Sequence, residues 1–236
     1  MAWFFSETEI PSDTYLLTGD NAKHAKVLRL RAGEEVTVVT PKGEQCSCEV
    51  VEGDALRVLR RKACENEPNV YVTLYQALPK GDKMDYIVQK CVELGVSRIV
   101  PMLTSRCVSR PDEKSLRKKR ERWQKIALQA AMQSRRGVIP EVADCVSFRQ
   151  AAELSKDNDK TVFFYELGGE SVKNILTDTP RSIGIFIGSE GGFDPSEVEL
   201  AVQNGAKTAT LGKRILRAET APLAAMSIIM YQTNNF

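Results

Sequence analysis

Glycine and charged residues are concentrated in two short segments of the last third of the chain. Residues 188–192 read GSEGG and directly follow the apolar run 182–187, and residues 211–221 read LGKRILRAETA. Glycine permits a positive φ and lets a ligand approach the backbone closely. Ligands of open parallel sheets bind beyond the carboxyl ends of the strands, which is where the first segment would lie. Together the segments predict a pocket of backbone groups for a nucleoside-like ligand.

The spacing of these glycines does not match the two common phosphate-binding loops. A dinucleotide site needs G-x-G-x-x-G at the start of a helix, and GSEGG lacks that spacing. A P-loop needs G-x-x-x-x-G-K-[ST], whereas Lys213 is followed by Arg214 and lacks the earlier glycine. A plain turn between a strand and a helix remains the alternative, because a short glycine cluster alone is a weak signal.

The elements that must position these segments alternate between strand and helix after about residue 70. Apolar strand patterns occur at 70–78, 98–103, 161–166, 182–188 and 208–211, and helical patterns at 80–96, 112–135, 147–154, 169–176, 195–204 and 220–232. Gly95 is placed to end the first helix in a left-handed conformation. Asp194, Pro195 and Glu197 form a helix-start signature. This alternation predicts an α/β fold with a parallel sheet covered on both faces.

The first seventy residues have a different pattern, with many short strands. The runs WFF, YLL, VTVV, CSCEV and ALRVL are separated by turn signals, and one short helix is expected at Asp20–Leu30. So many short strands predict a small β-barrel. The polar segment Glu65–Asn69 reads as a linker. We therefore expect two domains, at 1–69 and 70–236.

Basic residues are unevenly distributed along the chain. Residues 106–136 contain eleven Lys or Arg and three Asp or Glu, although the whole chain has a net charge of only +2. Such a stretch is typical of a surface that binds a polyanion, with a solvated helix face as the alternative. Residues 1–70 contain nine basic and twelve acidic side chains, so only one face of the barrel can be basic.

The cysteines and the apolar runs indicate a reduced, cytoplasmic protein. Six cysteines occur, and a chain of 236 residues does not need disulfides to hold its core. Cys46 and Cys48 lack the partners of a zinc site, and their spacing puts both on one buried face of a strand. No signal peptide and no membrane-spanning run is visible. We expect no metal and no membrane contact.

Four segments, in order along nearly the whole chain, resemble one family. His24–Glu34 is similar to a His-x-x-x-Leu-Arg-x-x-x-Gly-Asp/Glu motif, and Lys80–Met84 with 89–95 is similar to a second motif. The third is 123–140, and the fourth comprises 187–193 and 211–221. These motifs resemble those of the 16S rRNA uridine-N3 methyltransferases of the SPOUT class. Three positions depart from the pattern: Ser189 stands for a common Pro, Met132 for Glu and Arg135 for Gly.

The resemblance implies a fold, a cofactor and a substrate. The fold would be an N-terminal small PUA-like β-barrel followed by a SPOUT α/β domain with a C-terminal trefoil knot. The cofactor would be S-adenosyl-L-methionine, and the substrate N3 of one uridine in 16S rRNA, within the small ribosomal subunit. Two subunits would pack through the knot region as a homodimer. A related SPOUT enzyme with another RNA target and a non-catalytic RNA-binding protein remain alternatives.

The resemblance also assigns residues to roles. Backbone groups and apolar side chains of the two loops would hold the cofactor; the residues are Leu167, Gly168, Ile187, Gly188, Glu190, Gly191, Gly192, Leu211, Gly212, Ile215, Leu216, Arg217, Thr220 and Ala221. Arg217 would stabilise negative charge on the uracil oxygens, and Glu219 would orient Arg217 or accept the proton. A structural Arg–Glu pair is the alternative. RNA contacts are expected from Lys26, Arg29, Arg31, Arg106, Arg110, Arg122, Gln133 and Arg136, and also from Arg117 and Lys118.

Overall fold

The computed structural model describes all residues from 1 to 236 and divides them into two compact units. The first unit comprises Met1–Glu67 and Ala131–Ile139, and the second comprises Pro68–Ala130 and Pro140–Phe236. Two details differ from the predicted domains: the boundary lies between Glu67 and Pro68, and residues 131–139 belong to the first unit. No helix is long and apolar enough to cross a membrane.

The first unit is a curled, open sheet and not a closed barrel. Its elements are β1 (Ala2–Phe5), β2 (Thr14–Leu16), α1 (Gly19–Leu28), β3 (Glu35–Val39), β4 (Glu44–Glu52) and β5 (Ala55–Ala63). The strand order is β1-β3-β4-β5-β2, with β1 parallel to β3 and the other pairs antiparallel. The predicted barrel is therefore corrected to a half-barrel, because β1 and β2 are opposite edges of the sheet.

The core of the first unit lies on one face of this sheet. Cys46, Cys48 and Val50 alternate with less buried residues along β4 and pack in one cluster with Phe4 and Val38. This alternation is what a strand with one buried face requires. The prediction that the two cysteines are buried apolar residues is confirmed.

The second unit is a seven-stranded parallel sheet with helices. Its elements are β6 (Tyr71–Ala77), α2 (Lys83–Glu93), β7 (Arg98–Leu103), α3 (Glu113–Gln133), β8 (Glu141–Val142), β9 (Val146–Ser147), α4 (Phe148–Leu154), β10 (Lys160–Phe164), α5 (Val172–Ile175), β11 (Ser182–Ile187), α6 (Pro195–Gln203), β12 (Lys207–Ala209) and α7 (Ala221–Gln232). The strand order is β12-β10-β11-β6-β7-β8, and β9 also pairs with β7. All pairs are parallel, as predicted.

Aromatic side chains fix the strands that carry the glycine loop. Phe163 of β10 stacks on Phe186 of β11 with ring centroids 5.5 Å apart. Phe193, which directly follows GSEGG, lies 4.3 Å from Phe163 between ring centroids. All three rings are almost completely buried. The loop 188–192 is thus anchored at both ends in the core, by β11 before it and by Phe193 after it.

The helix boundaries follow local chemistry where the sequence states it. Asp194 caps α6, and the Asp194 backbone N–H donates to the Glu197 carboxylate, which confirms the predicted capping box. Gly95 has φ of +93°, as expected after α2. The helix predicted at 169–176 is only Val172–Ile175, because the backbone of Glu170 pairs instead with Thr208 and Thr210 beside β12.

Candidate active site

A cavity of about 570 Å³ opens at the carboxyl ends of β10, β11 and β12. This volume lies within the range of small-molecule sites. Three loops and the start of α2 form its walls; the residues are Lys83, Phe164, Tyr165, Glu166, Ile187, Gly188, Ser189, Glu190, Gly191, Gly192, Thr210, Leu211, Gly212, Lys213, Arg214, Ile215, Leu216, Arg217, Ala218 and Ala221. The two segments singled out in the sequence therefore face one common space.

The loop 188–192 requires glycine for reasons visible in its backbone. The Gly192 N–H donates to the Ser189 carbonyl at 3.0 Å, which closes a tight turn. Gly192 has φ of +65°, and a Cβ there would lie 2.2 Å from Glu166 Oε1. A Cβ at Gly191 would lie 2.9 Å from the Arg106 carbonyl oxygen. Both the left-handed backbone and the close neighbours exclude larger residues.

The segment 210–221 forms the opposite wall and starts the last helix. The Gly212 N–H donates to the Thr210 hydroxyl at 3.1 Å, and Gly212 has φ of +100°. The Arg217 carbonyl accepts from the N–H groups of Thr220 and Ala221, both at 2.9 Å, immediately before α7 begins. Arg217 thus borders the cavity while its backbone is fixed by the start of α7.

An ion cluster lies at the edge of the cavity where α2 begins. Lys83 Nζ is 2.8 Å from Glu190 Oε1 and 3.1 Å from Glu219 Oε2. The hydrogen bond to Glu190 and then the ion pair with Glu219 raise the pKa of Lys83. Its own backbone N–H and then the Lys83 ammonium lower the pKa of the Glu219 carboxyl. Burial alone would raise the pKa of Glu190, but hydrogen bonds from Lys83 and from backbone N–H groups lower it overall.

Most residues expected at the cofactor site border this cavity, and three do not. Those at the cavity are Ile187, Gly188, Glu190, Gly191, Gly192, Leu211, Gly212, Ile215, Leu216, Arg217 and Ala221. Leu167 is 78% exposed, and the chain turns at Gly168 towards β12. Thr220 is exposed, and its backbone N–H donates to the Arg217 carbonyl in the turn before α7. Leu167, Gly168 and Thr220 therefore lie outside the lining of this cavity, and their contact with the cofactor stays a prediction.

Glu219 was expected to interact with Arg217, but its ion pair is with Lys83. The Glu219 carboxylate forms its ion pair with Lys83, and Arg217 acts on it only through longer-range attraction. Sequence reasoning missed Lys83 as a site residue. The sequence does indicate this position, because Lys83 follows the carboxyl end of β6. It therefore lies on the same edge of the parallel sheet as the glycine loop.

Other lining residues were also missed, and the sequence carried weaker signals for them. Tyr165 and Glu166 follow β10 directly, two positions before the residues that were chosen. The remaining ones were given no role, although they lie in the two singled-out segments or in predicted strands; they are Phe164, Ser189, Thr210, Lys213, Arg214 and Ala218. The Ser189 hydroxyl is buried and has no hydrogen-bond partner within the protein.

The residues expected to contact RNA are mostly exposed. In the first unit, Lys26, Arg29 and Arg31 are exposed near the end of α1, where Arg29 has a left-handed φ of 54°. Gln133 is also exposed. Lys26 lies 3.7 Å from the Asp54 carboxylate, a weak surface pair that a phosphate could replace.

Among the basic residues of the second unit, Arg106 contacts the glycine loop. Arg106 Nη1 lies 3.4 Å from the Gly191 carbonyl, and its Nη2 lies 3.5 Å from the Asp194 carboxylate. Arg110 donates to the carbonyls of Thr104 and Ser105. Arg122 is paired with Asp85. On α3, Arg117 and Lys118 are exposed, as a solvated or RNA-binding face requires.

Arg136 is a correction to the predicted RNA contacts. Its side chain is 5% exposed, and its Nη2 lies 2.5 Å from Glu67 Oε2 in the first unit. The Arg136 carbonyl accepts from the indole N–H of Trp3 at 3.0 Å. A buried guanidinium held by a carboxylate cannot also reach a phosphate. Arg136 is therefore a structural residue.

The chain matches two family profiles, one for each part of the chain. The profile described as RNA methyltransferase domain matches residues 65–230, and the one described as RNA methyltransferase PUA domain matches residues 17–59. No group of three or more His, Cys, Asp or Glu is placed to hold a metal ion.

Named relatives are similar over nearly the full chain. Ribosomal RNA small subunit methyltransferase E of Bacillus subtilis is 38% identical, covering 93% of this chain and 91% of its own. The same enzyme of Aquifex aeolicus is 31% identical, covering 96% and 98%. The crystal structure of the Neisseria gonorrhoeae enzyme, bound to S-adenosyl methionine, is 32% identical with a TM-score of 0.88, covering 98% and 97%. The chain therefore belongs to the ribosomal RNA small subunit methyltransferase E family.

Proposed function

We propose that the protein transfers a methyl group from S-adenosyl-L-methionine to N3 of one uridine in 16S rRNA. The observation that carries this proposal is the cavity at the carboxyl ends of three adjacent strands, enclosed by loops 188–192 and 210–218. Family membership supplies the reaction class. We place the cofactor in the cavity, next to the ionisable side chains of Arg217 and Glu219.

The cavity residues fit this cofactor chemically. Backbone of the glycine loop is accessible because no Cβ fills it, and a Cβ at Gly188 would crowd the Gly192 Cα at 3.3 Å. The buried Ser189 hydroxyl without a protein partner fits a ligand acceptor at this wall. Leu211, Ala218 and Ala221 offer apolar surface for an adenine ring. When bound, S-adenosyl-L-methionine supplies an electrophilic methyl group.

The remaining demands of the reaction fall on side chains of this chain. The imide N3–H of uracil is a poor nucleophile, so its proton must leave and negative charge must be stabilised on O2 or O4. Arg217 borders the cavity and supplies a permanent positive charge for that purpose. We assign acceptance of the proton, through water, to the Glu219 carboxylate, whose lowered pKa keeps it ionised at neutral pH.

The substrate nucleotide must be unpaired when it enters. Base pairing engages N3 inside a duplex, so the target is a single-stranded or extruded uridine. Exposed basic residues of both units would bind the surrounding phosphates, which predicts an affinity that falls steeply with salt. The candidates are Lys26, Arg29, Arg31, Arg106, Arg110, Arg117, Lys118 and Arg122, with Gln133 as a polar contact.

Three further features are part of this proposal. A C-terminal trefoil knot is supported by the path of α7, which follows the edge strand β12 yet packs against α2, α5 and β11. A homodimer is supported by apolar side chains left exposed near the end of the chain, with Tyr231 75% and Phe236 77% exposed. Light scattering on the purified protein measures the subunit number. A protein acting on ribosomal RNA would work in the cytoplasm.

Two measurements test the proposal. Calorimetric titration with S-adenosylhomocysteine should give one site per chain, and absence of heat from folded protein would contradict the cofactor assignment. Methyl transfer to intact small subunits and to naked 16S rRNA should then be compared, with the modified base identified by mass spectrometry. N3-methyluridine supports the proposal. Methylation of another atom or RNA indicates a related enzyme, and binding of RNA without methylation indicates a non-catalytic protein.

A further inference from the structure

Three separate segments of the second unit converge on the side chain of Lys83. Lys83 is the first residue of α2, Glu190 belongs to the glycine loop after β11, and Glu219 belongs to the turn before α7. The ammonium contacts one carboxylate from each loop, at 2.8 Å and 3.1 Å. We refer to these three residues as the Lys83 cluster.

The backbone before α2 contributes to the same contact. The N–H of Lys80 lies 3.2 Å and 3.3 Å from the two oxygens of Glu190. Gly81, with φ of +64°, turns the chain between this N–H and the helix. Glu190 is therefore held from two sides, by a backbone donor and by an ammonium. The glycine loop is tied to α2 as well as to its own strand.

The position of Lys83 is unusual for a helix, and the cluster explains it. Helix N-termini carry a partial positive charge and favour acidic side chains, so a lysine at the first position is disfavoured locally. Residues that conflict with a local preference often serve a site. The carboxylates of Glu190 and Glu219 offset the unfavourable position of the Lys83 ammonium at the helix N-terminus. Lys83 also lines the cavity itself and is only 32% exposed, so its contacts are partly shielded from water.

We propose that Lys83 is a positioning residue that ties the two cofactor loops together and holds the Glu219 carboxylate at the edge of the cavity. This inference rests on the proposed function for its effect on catalysis, but the tie between the loops does not depend on it. The charged groups that face Glu219 are Lys83 from α2 and Arg217 from its own segment, with Glu190 on the other side of the ammonium.

The first experiment compares Lys83→Met with a matched control on the same helix. Lys90→Met is that control, because Lys90 is 33% exposed and also has a glutamate, Glu93, at 2.8 Å, but does not line the cavity. Amide hydrogen exchange of the protein without cofactor should become faster in peptides covering 186–194 and 209–221 only in Lys83→Met. If amide exchange in both loops of Lys83→Met is unchanged, Lys83 does not tie the loops together. This conclusion does not depend on which ligand the protein binds.

The second experiment measures function in the same variants and in Lys83→Arg. S-adenosylhomocysteine affinity of Lys83→Met should fall about tenfold, the scale for losing a network of two partly shielded ion pairs. Lys83→Arg should recover most of it, and Lys90→Met should bind normally. Equal affinity of Lys83→Met and the wild type would overturn the proposal, whereas failure of the wild type to bind would instead overturn the proposed cofactor.

The pH dependence of the methylation rate distinguishes two roles of Lys83: holding the Glu219 carboxylate, and only supporting the two loops. A proton acceptor must be ionised, so the single-turnover methylation rate falls as pH drops through its pKa. Lys83 supplies part of the lowering of the Glu219 pKa, so the acid limb of the Lys83→Met profile should move to higher pH. The acid limb of the pH–rate profile of Lys83→Arg should coincide with that of the wild type. Superimposable profiles would contradict the role assigned towards Glu219.

Discussion

In the proposed reaction, Arg217 stabilises the negative charge that develops on the uracil base. Its carbonyl fixes the turn before α7, and its side chain borders the cavity. Replacing Arg217 by Ala should reduce the methylation rate about 10²–10³-fold, because a charge placed against the developing oxyanion is lost. Rates are measured in single turnover with saturating cofactor and RNA.

A suitable control for this variant is Arg181→Ala. Arg181 is 94% exposed and precedes β11, at the opposite edge of the sheet from the cavity. It should methylate normally. RNA affinity of Arg217→Ala should remain within about threefold of the wild type, the loss of a single contact at most. A wild-type rate in Arg217→Ala would remove Arg217 from the reaction.

Gly192 tests whether the glycine loop must stay this tight. In Gly192→Ala the new Cβ would lie 2.2 Å from Glu166 Oε1, and the residue would keep φ of +65°. We expect S-adenosylhomocysteine affinity to fall at least about tenfold, because the strained loop must shift and the Glu166 side chain, which lines the cavity, must move. Calorimetric titration measures this loss.

The Gly205→Ala variant distinguishes the strain of a left-handed backbone from the steric clash with Glu166. Gly205 has φ of +92° after α6, and a Cβ there meets nothing within 4 Å. It should lower the melting temperature modestly without changing ligand affinity. The double variant Glu166→Ala, Gly192→Ala should regain part of the affinity. If it does not, strain at Gly192 and not the contact with Glu166 limits the loop.

At the scale of elements, α6 fixes the end of the glycine loop. Asp194 accepts from Ser196 N at 3.1 Å, and its hydrogen bonds to Ser196, then the nearby Arg106, lower the pKa of Asp194. Asp194→Ala should therefore lower Tm by about 2–4 °C through loss of the cap. The difference from the wild type should be present at neutral pH, above the usual Asp pKa, and vanish as pH falls through the lowered pKa. A pH-independent difference would contradict this origin.

The elements were predictable where a local rule sets them. The capping box of α6 and Gly95 after α2 are local, and sequence found both. The strands β8 and β9 contain two residues each, too few to show a period, so they were missed. The shortened α5 reflects pairing of Glu170 with a strand almost forty residues later, which no local pattern contains.

The candidate site was predictable as a pair of loops but not as a set of contacts. Strand order places both loops on one edge, and alternation of strands and helices implies that edge. Which side chains meet is decided by packing between distant segments. Lys83 and Glu219 are 136 positions apart in the chain, and nothing in either segment alone indicates their ion pair.

At the scale of the whole molecule, the basic residues divide into buried structural ones and exposed ones, which we propose bind RNA. Arg136 is buried against Glu67, so Arg136→Met should destabilise the protein by about 2–3 kcal/mol, as expected when one partner of a largely buried pair is removed. Exposed Arg29→Met should leave stability unchanged and reduce the salt slope of RNA binding by about one. Denaturant titration and salt-dependent binding measure the two effects. A reduced slope in folded Arg136→Met would contradict the structural role.

The six cysteines are free, and the burial of Cys48 and Cys91 makes opening of the two units separately observable. Cys48 lies in the core of the first unit, where burial raises its pKa to about 12, and Cys91 is completely enclosed in the second. Only a thiolate attacks an alkylating reagent, so both residues stay inert until their surroundings open. Pulsed labelling with iodoacetamide, read by peptide mass spectrometry, should consequently report the opening rate of each half without any added probe.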